Sequence, residues 1–162
     1  MQVRVLDDFE DISAWEVVVS GDAQLELSSV PSPRGKALRL DYDFCGGGGF
    51  VVARRILPLE LPESYFFSSN IRGDAPANIF EFKLADETNQ NVWRYQVENL
   101  EFPALWEPLS IRNSQIDFAW GPIGGGAVRK THALELVIAA GAGGSGSVCF
   151  DQLWLHDVTY NS

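Results

Sequence analysis

Glycine, histidine, serine and carboxylate patterns show which chemistries this chain is equipped for. Gly141, Gly143 and Gly146 have the spacing of a dinucleotide-binding turn. That chemistry needs a helix to start there, with its N-terminal N–H groups facing a pyrophosphate. The residues that follow, Val148-Cys149-Phe150-Asp151-Gln152-Leu153-Trp154-Leu155, read as a strand, so the glycines read as an inter-strand turn. No Gly-Lys-Ser or Gly-Lys-Thr follows a glycine loop. The two histidines, His132 and His156, lie in no HExxH, and no Cys-x-x-Cys accompanies them, so zinc lacks a ligand set. His156 reads as a surface side chain. No serine occupies a Gly-x-Ser-x-Gly elbow. Arg72-Gly73-Asp74 spells an adhesion tripeptide, but three letters carry little specificity, and a turn ahead of Ala75-Pro76-Ala77 is the simpler reading.

Carboxylates allow two further chemistries. Glycoside hydrolysis needs two carboxyls roughly 5–10 Å apart, one of them with a raised pKa. Glu81 with Glu98, or Asp41 with Glu81, could share a groove, but Arg72, Lys83 and Arg94 nearby would hold such acids ionised. No catalytic residue is therefore assigned. A calcium ion needs several hard oxygens. Asp7, Asp8, Glu10 and Asp11 open the chain, Asp151 heads its last strand, and terminal strands often lie side by side. Spacing alone favours a solvated acidic edge with turn hydrogen bonds.

Aromatic residues are the most informative class, with 5 Trp, 4 Tyr and 10 Phe. Most must pack sheet against sheet. Trp93 and Tyr95 share one strand parity while Arg94 and Gln96 take the other. If Arg94 and Gln96 join Asn70, Arg72, Glu81 and Lys83 on one exposed sheet, the groove is dense in donors and acceptors that match sugar hydroxyls. Trp106 and Trp120 each adjoin a loop and are candidate platforms for the apolar face of a sugar ring, although a core position is the simpler reading of either. Parity favours Arg94 in the groove and Trp93 in the core.

These side chains must be carried by strands. Alternating or short apolar runs bounded by Gly, Pro, Asn and Asp recur at Gln24–Ser28, Ala37–Phe44, Phe50–Leu57, Tyr65–Arg72, Ile79–Ala85, Val92–Val97, Ile111–Trp120, Leu134–Ala140 and Val148–Val158. No stretch keeps a helical apolar stripe free of nearby Gly or Pro, so residues 1–162 read as one all-β domain, a two-sheet antiparallel β-sandwich. Inward parity falls on Leu38, Leu40, Tyr42 and Phe44, on Tyr65, Phe67 and Ile71, and on Phe80, Phe82 and Leu84. With 162 residues and 46% apolar composition, a real core is affordable without disulfides or metal. Cys45 and Cys149 read equally as free thiols or as a long-range pair. A formal charge of −10 with no basic cluster excludes nucleic acid and anionic membranes as expected partners, and no apolar run is long enough for a membrane-spanning helix. The opening Met1-Gln2-Val3-Arg4-Val5 contains no apolar leader.

Several segments together resemble the galactose-binding-domain-like jelly rolls, including carbohydrate-binding modules of bacterial polysaccharide-degrading enzymes. They are Leu6-Asp7-Asp8-Phe9-Glu10, Gly35-Lys36-Ala37-Leu38-Arg39-Leu40-Asp41-Tyr42, Gly49-Phe50-Val51-Val52-Ala53-Arg54, Ile71 to Leu84, Asn91-Val92-Trp93-Arg94 and Gly146 to Leu155. A related group of mitochondrial complex I intermediate-associated proteins has a similar opening and close. The resemblance implies a sandwich of eight or more strands with a concave sheet, an extracellular or periplasmic setting and enzyme domains appended in the native protein. It also implies one structural Ca2+ between the N-terminal acids and the head of the final strand, carried here by Glu10 and Asp151, with Asp8 as a weaker member. Gln152 stands where a second acid is common, which weakens any ligand set relying on both positions. The resulting expectation is non-catalytic binding of an oligosaccharide or polysaccharide. Arg72, Glu81, Lys83 and Arg94 supply polar contacts, and Tyr95, Trp106 or Trp120 the platform. The alternatives are a protein-interaction or assembly domain and, further off, a glycoside hydrolase.

Overall fold

Period-two alternation of large apolar with polar residues commits most of the chain to strands that are greasy on one side only. The computed structural model describes residues 2–159. In chain order the strands are β1 (Gln2–Asp7), β2 (Trp15–Val19), β3 (Gln24–Ser32), β4 (Gly35–Asp43), β5 (Phe50–Glu60) and β6 (Tyr65–Asp74). They continue with β7 (Asn78–Ala85), β8 (Val92–Leu100), β9 (Glu107–Arg112), β10 (Asp117–Trp120), β11 (Lys130–Ala139) and β12 (Ser145–Asp157). Sheet I runs β3-β4-β12-β6-β9, with β1 also on β12; sheet II runs β10-β8-β7-β11-β5-β2. Every pairing is antiparallel. β12 is long enough for β4 to take its first half, Ser145–Phe150, and β1 its second, Leu153–Asp157.

The two inner faces meet through aromatic rings. Phe67 of β6 lies 4.8 Å from Phe82 of β7, and Phe80 of β7 lies 5.9 Å from Phe150 of β12. Each of the inward residues expected on β4, β6 and β7 is in this core. Asp7 ties the sheets together at one end. Its Oδ2 accepts from Trp15 Nε1 and from Arg55 Nη1, each at 2.7 Å, while Oδ1 accepts the Phe9 N–H at 2.7 Å.

The strands differ from expectation in four places. β1 and β2 lie outside the expected runs: β1 alternates over Gln2–Val5 but leaves Val3 and Val5 exposed, and β2 ends in three exposed valines. The run Ile111–Trp120 is split by a 3-10 turn at Asn113–Gln115, where Asn113 Oδ1 accepts the Tyr65 N–H at 3.0 Å. β3 continues through Pro31, which a strand at the sheet edge tolerates because it has one side without a ladder. Arg72-Gly73-Asp74 lies within β6, not in a turn. Gly73 has no room for a side chain: a Cβ there would stand 2.8 Å from Phe102 Cβ and 2.9 Å from the Ser147 carbonyl oxygen.

Cys45 is exposed, Cys149 is buried, and both are free thiols. Removing the shared acceptor in Asp7→Ala leaves the Trp15 indole N–H unpaired and Arg55 without its counter-charge, held only by the Leu6 carbonyl at 3.0 Å. The expected cost is about 3 kcal/mol, read as a lower urea midpoint at unchanged m-value.

Candidate functional site

Because Phe80, Phe82 and Leu84 point inward, β7 presents Glu81 and Lys83 on the opposite, outer side of sheet II. Trp93 is inward on β8, its Nε1 donating to the Gly126 carbonyl at 2.8 Å, so Arg94 and Gln96 are outward. Register then does the rest: Lys83 pairs with Arg94 and Glu81 with Gln96. Arg94 Nη1 donates to Glu81 Oε1 at 2.8 Å and Gln96 Nε2 to the same oxygen at 3.0 Å, while Lys83 Nζ stands 3.6 Å from Oε2. Glu81 is only 5% exposed although it sits on an outer face, because these three side chains roof it.

Trp120 joins this group from β10. A register shift between Phe118 and Trp120 lets Phe118 pack edge-on against Trp93 while Trp120 stays outside. Lys83 Nζ lies 4.8 Å, and the Arg94 guanidinium 5.8 Å, from the centre of the Trp120 ring, which is 46% exposed. The turn after it is pinned by Gly121, with φ 139°, packed so close to Asn91 that a side chain would collide.

Charges cross the sheet as a row. Asp117 faces Arg94, Lys83 faces Glu135, Glu135 faces Arg54, and Arg54 faces Glu16. Arg54 Nη1 reaches Glu135 at 2.9 Å and its Nε reaches Glu16 at 3.5 Å. The next row changes character after Glu81, continuing through Val137, Val52 and Val18. Beside it stand Ile79, Ala139 and Phe50. The expected polar sheet is therefore polar and aromatic at the β10 side and apolar at the β2 side, where Val18 and Phe50 are exposed on this face; Val17 and Val19, paired with core residues Ala53 and Val51, take the other.

Five of the residues expected together are not, Asn70 of β6 in sheet I among them. Arg72 is on β6, in sheet I, so it lies across the sandwich from Glu81, Lys83 and Arg94. Trp106 accompanies Arg72, whose guanidinium sits 5.6 Å from the centre of its ring. Tyr95 shares the inward parity of Trp93 and packs against the core. Asp41 is on β4 in sheet I and is held by Arg39, so it cannot pair with Glu81. Among the residues that reasoning from sequence passed over, Glu135, Arg54 and Asp117 complete the charge row; their register was the missing signal.

The expected metal ligands divide as well. Glu10 Oε1 accepts the Lys36 N–H at 3.1 Å, and Asp151 Oδ2 accepts the Ser32 hydroxyl at 2.6 Å, so both acids touch the hairpin joining β3 to β4. Asp8 is exposed and its Oδ1 accepts the Glu10 N–H at 3.0 Å. Among the described residues no group of three or more His, Cys, Asp or Glu is placed to hold a metal ion.

On the outer face of sheet I, His156 stacks on Phe66 with ring centres 4.0 Å apart, and its Nε2 shares a 2.7 Å hydrogen bond with Ser68 Oγ. Its Nδ1 is buried with no partner.

No protein-family model matches the chain, and no curated protein matches it. Solved structures do. A family 11 carbohydrate-binding module from Clostridium thermocellum, in complex with a β-1,3-1,4-mixed-linked tetrasaccharide, superposes with a TM-score of 0.78 at 19% identity over 95% of each chain. TmCBM61 in complex with β-1,4-galactotriose gives 0.54 at 16% identity, covering 95% of this chain and 99% of that one. An exo-β-agarase gives 0.65 at 12% identity, covering 94% of this chain and 25% of the enzyme. The shared property is the fold, a jelly-roll β-sandwich, as the residues suggested.

Glu81→Ala would leave Arg94 and Lys83 facing each other without their shared carboxylate. The expected loss is about 2–4 kcal/mol in urea unfolding, with a shift in tryptophan emission because both cations flank Trp120. His156 supplies a pH test. Burial pushes its imidazole below the ordinary 6.5, so the unfolded chain takes up the proton first. Stability from this group is whole above that value and is lost as pH falls through the lower folded value. Melting temperature should therefore drop between pH 7 and 5.5, and drop less in His156→Gln.

Proposed function

We propose that this chain is a non-catalytic carbohydrate-binding module whose ligand lies on the outer face of sheet II, at the β10 side. The observation that carries the reading is the half-exposed Trp120 beside the Arg94–Glu81–Gln96 cluster. Glu81 anchors one donor each of Arg94 and Gln96, which stiffens both side chains and leaves their other N–H groups for sugar hydroxyls. Trp120 offers a flat apolar surface with its tilt fixed by Lys83 and Arg94. Rigid donors lose little entropy on binding, which offsets part of the cost of stripping water from a hydroxyl-rich ligand. Glu81 is committed to three donors, so nothing in this cluster resembles a free acid paired with a second carboxylate for hydrolysis. The fold likeness to modules solved with bound oligosaccharides supports the same class of ligand, and with it an extracellular or periplasmic setting.

The same proposal includes a structural Ca2+ at the β3–β4 hairpin, held by Glu10 and Asp151 with backbone oxygens. Its support is the Asp151 carboxylate, 2% exposed and engaged in no ion pair among the described residues. An anion buried that deeply without a counter-charge is costly, and a hard cation relieves the cost. A protein-docking role draws on a different observation, the exposed Val17, Val18, Val19 and Phe50 along the β2 edge.

A glycan array followed by titration separates these readings. Trp120→Ala should weaken binding by about 2 kcal/mol, roughly 30-fold, with Arg94→Ala similar, and Val18→Lys should not matter. A folded protein with no glycan ligand would reject the sugar reading. After chelation, calcium at about 100 times its dissociation constant should raise the melting temperature by about 5–10 °C, and Asp151→Asn should abolish the rise.

A further inference from the structure

Sheet I carries a hollow bordered by two arginines on the side of the sandwich away from Trp120. Cys149 of β12 is directly opposite Arg39 of β4 on one flank and Arg72 of β6 on the other. Two strand spacings, about 10 Å, separate the two arginine backbones, and both long side chains lean over the buried thiol between them. The hollow they border is also lined by Asp74 and Ser147.

The two guanidiniums are not equivalent. Arg39 is neutralised by Asp41, giving both carboxylate oxygens hydrogen bonds of 2.9–3.0 Å from Nε and Nη2. Arg72 has no carboxylate within ion-pairing distance among the described residues. It is instead laid against the Trp106 ring, which orients the planar fork without neutralising it. Cys149 does not supply the missing anion, because burial pushes its thiol pKa up against the pull of Arg72 and Arg39. An exposed guanidinium, held rigid and left without a counter-charge, is complementary to a carboxylate in the bidentate mode. Asp74, two residues along β6 on the same face, sets the limit: a ligand with closely spaced multiple charges is repelled, while hydroxyls can donate to it.

We propose that this hollow is a second carbohydrate subsite, taking the carboxylate of a singly charged sugar ring, a uronate, on Arg72 with Arg39 beside it. It shares no residue with the face of sheet II, so the chain grips two segments of polysaccharide from opposite sides. Trp106 is a positioning residue here, acting through Arg72.

Calorimetric titration with trimers of galacturonate, guluronate and mannuronate tests it, each against its methyl ester, which keeps the shape and removes the charge. At least one trimer should bind the wild-type protein, its ester at least tenfold more weakly. Arg72→Ala, at an exposed side chain, should reproduce the loss, and Arg72→Lys should recover only part of it because the fork is gone. The titration is repeated in Trp120→Ala: binding that persists there belongs to sheet I, whatever the fate of neutral glycans. No binding of any trimer, equal binding of acid and ester, or uronate binding lost in Trp120→Ala but kept in Arg72→Ala would each overturn the proposal.

Discussion

Ring contacts between the two sheets decide where everything else points. Phe67 against Phe82 and Phe80 against Phe150 lock β6, β7 and β12 into one facing each. A strand has only two sides, so seating Phe80 and Phe82 inward obliges Glu81 and Lys83 to stand outward. A one-residue slip of β7 would bury both charges and expose three large apolar side chains. The outer chemistry of sheet II is thus held in place by apolar contacts that never touch it.

On that outer face, Glu81 turns proximity into order. Lys83 and Arg94 are cross-strand partners of like charge, an arrangement that is unfavourable unless an anion lies between them. Glu81 provides it from the next position along β7 and is roofed in return. Trp120 rests against the two cations, so a single carboxylate organises an arginine, a lysine, an amide and an indole. Sheet I solves its own crowding differently. Its Arg39 is matched locally by Asp41, whereas Arg72 lies against the Trp106 ring and the Cys149 thiol, with no carboxylate partner among the described residues.

Much of this was legible in the residues. Alternation placed Phe80, Phe82 and Leu84 inside and Glu81, Lys83 and Arg94 outside, and Gly141 and Gly143 do lie in the turn between β11 and β12, although Gly146 falls inside β12. What alternation cannot report is which sheet a strand joins. β6 and β7 are separated by only Ala75-Pro76-Ala77, yet the chain crosses from sheet I to sheet II there. Arg72 and Glu81 have equivalent outward parity and lie on opposite sides of the molecule. The apolar half of sheet II was hidden for a related reason: Val18, Val52 and Val137 come from three strands and form a lane only once register brings them into line. Trp120 escaped parity altogether, because the irregularity after Phe118 resets it.

The same kind of reset shapes the final strand. Strict alternation from Phe150 would send Leu153 outward and Trp154 into the core. Instead Gln152 adopts φ 55°, and the pairing with β6 shifts between Asp151 and Trp154. Leu153 and Leu155 thereby turn inward beneath β1, while Trp154 and His156 turn out. A left-handed backbone at a residue other than glycine is strained, so the sandwich tolerates it for a gain elsewhere. The gain is visible on both flanks. Asp151 stays sequestered against Ser32 at the β3–β4 hairpin, and the strand resumes in a register that lets β1 close the sheet beyond β4. A glutamine there, in place of a second acid, fits that duty: its amide oxygen accepts the Trp154 indole N–H at 3.1 Å, a bond that bridges the bulge it creates.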